Sequence, residues 1–257
     1  AAFLCARLAN WGGFHHPAIY IAEAQRLGIA VRPPHVNFSR GEFTLVQDEG
    51  SAVLYMGLNQ VRDLRQASVQ AIVAERSPAR FTDLADLLRR VPLQRKELTH
   101  LIQCGAFDGL GASRAALLVE AEGNAAGGKQ QFAFDFMAQQ VTAESAGQRL
   151  AWEMHILGQP VSVHPLAVQP AAATNCTALA AVAEKPRQAV QVVGVRLPGW
   201  TGGKGFFLSD RTHFCIAIPP RGVSNPPAWA VVRIRGRWLE DEWGSGWLQI
   251  EQLEQMG

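Results

Sequence analysis

Apolar positions recur at helical spacing through the first two thirds of the chain and at alternating spacing through the last third. Ala2 to Ala9 predicts a short helix closed by Asn10 and the Gly12-Gly13 turn. A second helix starts at Pro17, a favourable first-turn residue, and stops at Gly28. Ile19 and Ala22 mark its apolar side, and Glu23 and Arg26 form an i,i+3 ion pair on the other. Ile29 to Val31 predicts a strand ended by Pro33-Pro34. Phe43 to Val46 and Val53 to Met56 predict two more around the acidic turn Gln47-Asp48-Glu49-Gly50. From Gly57 to Gly123 the spacing predicts helices near Leu58–Arg62, Gln66–Arg76, Asp83–Val91, Gln94–Cys104 and Ala112–Glu122. Thr82 is the expected N-cap of the third, and Leu84, Leu87, Leu88 and Val91 form its stripe. Helices this short hold only by packing on one another. Asn124 to Lys129 has linker composition, with an apolar island at Gln130 to Phe136. Thr142 is expected to cap a helix over Ala143–Leu157, and a Pro/Ala-rich connector runs from Pro160 to Asn175. One or two helical turns are expected over Ala178–Ala183. The last third predicts strands at Val190–Leu197, Gly205–Ser209, His213–Ile218, Ala230–Trp238 and Gly246–Leu253, which suits a small barrel or meander.

Composition narrows the function classes. The 257 residues are 48% hydrophobic, enough for one large core or two to three small ones. A net charge of +2 does not announce nucleic-acid binding, so any such contact rests on local patches. Cys5, Cys104, Cys176 and Cys215 are isolated, which argues against a cysteine-rich metal site and suits a reducing cytoplasm. No apolar run approaches a membrane span. The start at Ala1 inside a helix-like segment predicts a piece of a longer protein.

Catalytic residues do not assemble in this pattern. Asp83, Asp86, Asp108, Asp135, Asp210 and Asp241 are scattered over caps and turns, not paired as two-metal chemistry needs. Glu153, Ser162 and His164 lie close in sequence, but nothing completes a hydrolase triad, and they read as structural.

Several motifs in order carry a family resemblance. GFHHPAIYIAEAQRLGIAVRPPHVNFS (Gly13 to Ser39) resembles the end of the fingers domain of bacterial DNA polymerase III α subunits, the C-family polymerases. YMGLNQVRDLRQASVQAIVAER (Tyr55 to Arg76) resembles their helix-hairpin-helix segment through Gly57, Leu58, Val61, Leu64, Ile72 and Arg76. Phe107-Asp108, Gly111 and Arg114 match a further motif. Glu153, Leu157, Gly158, Ser162, His164, Pro165 and Leu166 match the connector that follows.

The resemblance implies a multidomain α+β chain: end of the fingers (1–50), a helix-hairpin-helix-type module (51–123), a linker with a clamp-binding-like peptide and connector helix (124–177), and an all-β OB-fold-like domain (178–257). It implies a DNA-directed DNA polymerase of replication or error-prone repair, with its catalytic carboxylates upstream in a palm. No cofactor is expected in this chain, and Mg²⁺ is expected for the parent polymerase. The partners implied are template DNA, duplex and single-stranded, a sliding clamp and other polymerase subunits. A stand-alone, non-catalytic DNA- or clamp-binding accessory protein is the alternative.

The implied DNA contacts are Gly57, Arg62 and Arg65 at the hairpin, Arg89, Arg90, Arg95 and Lys96 around Pro92, and Lys204, Phe206, Arg233, Arg235 and Arg237 in the β domain. Gln131, Phe132, Phe134 and Phe136 resemble a clamp-binding peptide. The hairpin departs from the family: Asp63-Leu64-Arg65 stands where Gly-hydrophobic-Gly is usual. Without those glycines the backbone approaches a phosphate less freely, and Asp63 adds an opposing charge. A weakened DNA site and a purely structural hairpin are both open. The lost glycines and the short C-terminal end fit the error-prone branch better than the main replicase. His15-His16 stand near a usual aromatic and read as structural.

Overall fold

The computed structural model describes residues 1–10, 13–48, 50–125, 142–203 and 205–256. It is an α+β chain with a helical module followed by a five-stranded barrel. Contacts divide it into two units, one of residues 1–10 and 30–163 and one of residues 11–29 and 164–257.

The first unit opens with α1 (Ala2–Ala9) and a three-stranded sheet of order β1-β3-β2. β1 (Ala30–Arg32) runs parallel to β3 (Ser51–Tyr55), and β2 (Thr44–Asp48) runs antiparallel to it. The expected helix at Leu58–Arg62 is only a 3-10 turn, Leu58–Gln60, because Val61 turns extended and Asp63 reverses the chain at φ 59°. Helices α3 (Gln66–Glu75), α4 (Leu84–Arg90), α5 (Arg95–Gln103), α6 (Arg114–Ala125) and α7 (Ala146–Leu157) follow.

Two caps differ from expectation. Asp83, not Thr82, caps α4 by accepting the Asp86 N–H at 2.7 Å. Ser145, not Thr142, caps α7 by accepting the Gln148 N–H at 3.2 Å. In both cases the cap lies closer to the apolar stripe, where its oxygen reaches an otherwise orphaned N–H. α4 stops at an extended Val91, the conformation that Pro92 imposes on its predecessor. Leu58, Ile72, Leu87, Leu101, Ile102 and Phe107 are at most 1% exposed and form the core that these short helices share.

The second unit contains α2 (Pro17–Arg26), the short α8 (Pro165–Val168), 3-10 turns at Pro170–Ala173 and Leu179–Ala181, and the barrel. Its strands are β4 (Ala189–Leu197), β5 (Phe206–Ser209), β6 (Phe214–Ile218), β7 (Val231–Glu240) and β8 (Gly246–Gln255). They close in the order β4-β5-β6-β8-β7, with β6 parallel to β8 and the other pairs antiparallel. This is OB-like. Val190, Val192, Phe206, Leu208, Ile234 and Leu248 fill the interior.

The outer wall of this barrel is covered in two places. Leu166 and Ala172 pack on Val193 and Val195. Ile19 and Ala22 of α2 pack on Leu197, Phe207 and Ile216. His16 caps α2 by accepting the Ala18 N–H, and the His15 ring sits edge-on to Phe207 at 5.6 Å. Both histidines therefore serve structure.

Candidate nucleic-acid interface

The hairpin between the Leu58–Gln60 turn and α3 is the first place to look for phosphate contact. Three of its N–H groups, those of Arg62, Leu64 and Arg65, already have partners. Arg62 N–H donates to the Ile156 carbonyl at 3.2 Å, and Arg65 N–H donates to Glu97 Oε1 at 2.9 Å. Glu97 is 1% exposed and also accepts from the Arg65 guanidinium, the Ser68 hydroxyl and the Gln94 N–H. Burial would push this carboxyl up, but those donors hold it down at about 2. An ionised carboxylate thus occupies the donors that a phosphate would use. The His100 ring, at 2.6 Å from the Arg62 carbonyl, closes the other side.

Asp63 carries φ 59°, a conformation that suits glycine, and pairs with Lys96 at 2.9 Å. The Lys96 bond holds the Asp63 carboxyl below its ordinary range. Gly57 has a different task from the one expected. A Cβ there would lie 2.2 Å from the Gly41 carbonyl oxygen, so the glycine admits the neighbouring backbone. Arg62 reaches the His155 carbonyl at 3.3 Å. The geometry of this hairpin supports the structural alternative.

Around Pro92 the cations separate into two kinds. Arg90 is an internal brace. It lies 4.4 Å over the Phe81 ring, pairs with Asp86 at 3.1 Å, and donates to the carbonyls of Glu75 and Ala79. Arg89, 75% exposed at its side chain, pairs with Asp86 at the surface, and Arg95 is exposed. Exposed pairs of this sort contribute little and exchange readily for a phosphate.

In the barrel, Phe206 is fully buried and points inward, so it offers no face for stacking. Its neighbour Phe207 points outward, but α2 covers it. Arg233, Arg235 and Arg237 share the outer face of β7, as their alternation predicts. Two of them are compensated. Arg233 reaches the Ala172 carbonyl at 3.2 Å and Glu254 at 3.7 Å, and Arg237 pairs with Glu251 at 2.6 Å. Arg235 is exposed between Gln191 and Gln252. Trp243, 83% exposed on the β7–β8 loop, Trp200, 59% exposed before β5, and Phe14, 74% exposed with its ring 5.5 Å from that of Trp200, are exposed aromatics of this unit. Trp243 and Glu97 carried no sequence signal beyond an aromatic in a turn and a glutamate in the first turn of a helix.

Lys204 and the peptide residues Gln131, Phe132, Phe134 and Phe136 lie outside the described residues. The Ser162 hydroxyl donates to Glu153, and His164 accepts the Leu166 N–H at 3.2 Å with burial pushing its ring down to about 4. Each is committed to local structure. Among the described residues no three His, Cys, Asp or Glu side chains gather as a metal site. Among them, too, no helix is long and apolar enough to cross a membrane.

Residues 28–117 match the family model for the helix-hairpin-helix motif. The fold is thus that of a helix-hairpin-helix module joined to an OB-like barrel. The chain is similar to one segment of bacterial error-prone DNA polymerases and DNA polymerase III alpha subunits. It is 31% identical to the error-prone DNA polymerase of Azoarcus sp. (strain BH72) over 87% of this chain and 23% of that one. The error-prone DNA polymerase of Alkalilimnicola ehrlichii is 30% identical over 65% of this chain and 17% of its own. The DNA polymerase III subunit alpha of Campylobacter jejuni is 27% identical over 58% of this chain and 14% of its own. The chain therefore spans less than a quarter of the length of these relatives.

Proposed function

We propose that this chain is the DNA- and clamp-binding part of a bacterial DNA-directed DNA polymerase used in replication or error-prone repair synthesis. It holds template DNA while palm residues elsewhere in the parent protein transfer nucleotides. The observation that carries this reading is the helix-hairpin-helix match over residues 28–117 within a longer match to polymerases. The exposed cations Arg89, Arg95 and Lys96 of α4 and α5 are a surface of the first unit able to meet phosphates, and Arg235 on the barrel is a separate one in the second. Arg65, Arg90, Arg233 and Arg237 are held by internal partners and contribute less. On this reading the chain alone does not polymerise, and Mg²⁺ acts in the parent protein's palm. Gln131, Phe132, Phe134 and Phe136 dock on the sliding clamp, their rings entering a groove of that partner.

Anisotropy of a labelled primer–template duplex tests the DNA part. Alanine at Arg89, Arg95 and Lys96 together lowers affinity and reduces the slope of log K against log salt by about two to three. Unchanged affinity and slope would remove this surface from the reading. A peptide spanning Lys129 to Ala138 tests the clamp part, and no binding at high micromolar concentration rejects it.

A further inference from the structure

In the first unit a cleft of about 690 Å³ opens between the end of β1, the turn after it, the Arg80-Phe81 segment and the turn that follows α5. Its size lies within the range of small-ligand pockets. One wall is aromatic. The half-buried Phe38 ring stacks on buried Tyr55 with centroids 5.0 Å apart and planes 27° from parallel, and His35 lies 4.7 Å from Phe38. The rim is cationic. Arg80 lies 4.9 Å over Phe38, and Arg32 lies 5.9 Å over Tyr55 while donating to its hydroxyl at 3.1 Å. Both arginines are exposed, and neither has a carboxylate partner among the described residues.

The remaining charges on the cleft are silent. Asp108, the carboxylate that lines it, is bound by Arg114 through two bonds of 2.9 and 2.6 Å. His35 has both ring nitrogens engaged: Nδ1 accepts the Asn37 N–H at 3.0 Å, and Nε2 donates to the Asp108 carbonyl at 3.1 Å. Burial pushes this ring down to about 4, so it is neutral. The cleft therefore pairs an aromatic wall with two guanidiniums that lack a counter-charge.

We propose that this cleft binds a nucleotide unit, its base against the Phe38–Tyr55 wall and its phosphate on Arg32 and Arg80. A simple anion needs no aromatic wall, and a purely apolar ligand leaves the two guanidiniums uncompensated. A planar base joined to a phosphate satisfies both, because guanidinium forks match phosphate oxygens and aromatic faces stack on bases. The site goes beyond the polymerase reading and does not depend on it. Two sources share this chemistry: an unpaired nucleotide within a single strand, and a free nucleotide.

Calorimetry on the whole chain with thymidine 5′-monophosphate, a short oligothymidylate and inorganic phosphate tests the site. Saturable binding is expected for a nucleotide ligand, weakened at least about fivefold by Arg32→Gln and by Arg80→Gln with the melting midpoint unchanged. Phe38→Leu weakens the nucleotide without touching phosphate binding. Binding of the oligothymidylate alone assigns the strand as source, and equal binding per nucleotide assigns the free nucleotide. The proposal is overturned by no saturable binding of either nucleotide ligand, by arginine variants that bind as the parent does, or by inorganic phosphate binding as tightly as the nucleotide. Duplex anisotropy on the same variants separates this site from the Arg89, Arg95 and Lys96 surface: its failure with nucleotide binding intact counts against the polymerase reading only.

Discussion

Asp63 shows how much one side chain can redirect a hairpin. It holds a backbone conformation that glycine adopts freely, and it places a carboxylate against Lys96. Asp63→Gly is expected to keep the turn, release Lys96 and raise duplex affinity at low salt, with the salt slope steeper by about one to two charges. Anisotropy across a salt series reads both changes, and a weaker or flatter response counts against any role of this turn in DNA contact. The loss of the glycines was legible in the sequence. The replacement acceptor was not, because nothing local marks Glu97 as the partner of a backbone 32 residues earlier. His35 carries a pH signature. Its folded value of about 4 lies below the ordinary 6.5 of a free imidazole, so the unfolded chain takes up a proton first as pH falls. Stability is full above pH 6.5 and declines toward pH 4 by up to about 3 kcal/mol. His164, which burial also lowers from 6.5 to about 4, adds a step of the same direction in the same window. Urea midpoints between pH 7 and 4 check this, and His35→Gln removes roughly half of the slope, leaving the His164 part.

Among elements, α6 and α7 are joined by a buried ion network. Arg114 on α6 is 2% exposed and binds Asp108 at 2.6 Å and Glu153 of α7 at 3.2 Å. Glu153 is fully buried and also accepts the N–H groups of Val161 and Ser162. Gly105 leaves the space, since a Cβ there would meet Arg114 at 2.3 Å. Arg114→Met strands the Glu153 charge in the core and is expected to cost about 3–5 kcal/mol in chemical unfolding, while Arg114→Met with Glu153→Gln recovers part of it. No recovery in the double variant would mean the two charges are not coupled. The motif residues Asp108, Arg114, Glu153 and Ser162 were visible as a sequence pattern. Their convergence was not, because a pattern along one chain does not say which helices face each other. The barrel strands were easier to read: period-two alternation separates Phe206 from Phe207 and aligns the three β7 arginines. It does not reveal that Glu251 and Glu254 on β8 face two of them.

At the scale of the molecule, the stretch Gly13 to Ser39 is continuous as a motif but divided in space. α2 belongs with the barrel and β1 with the helical unit. The apolar side of α2 was evident from Ile19 and Ala22, but helical spacing does not name the core that receives it. Deleting residues 1–29 is expected to bare Leu197, Phe207 and Ile216, cost the barrel about 3 kcal/mol, and raise binding of a hydrophobic dye. Dye binding equal to the parent's would show that α2 does not shield this wall. Because the helix that seals the wall is synthesised long before the strands that form it, α2 leaves the ribosome with its apolar side unsatisfied. It stays so until β8 has been made more than 200 residues later, which makes this helix a natural handle for a chaperone.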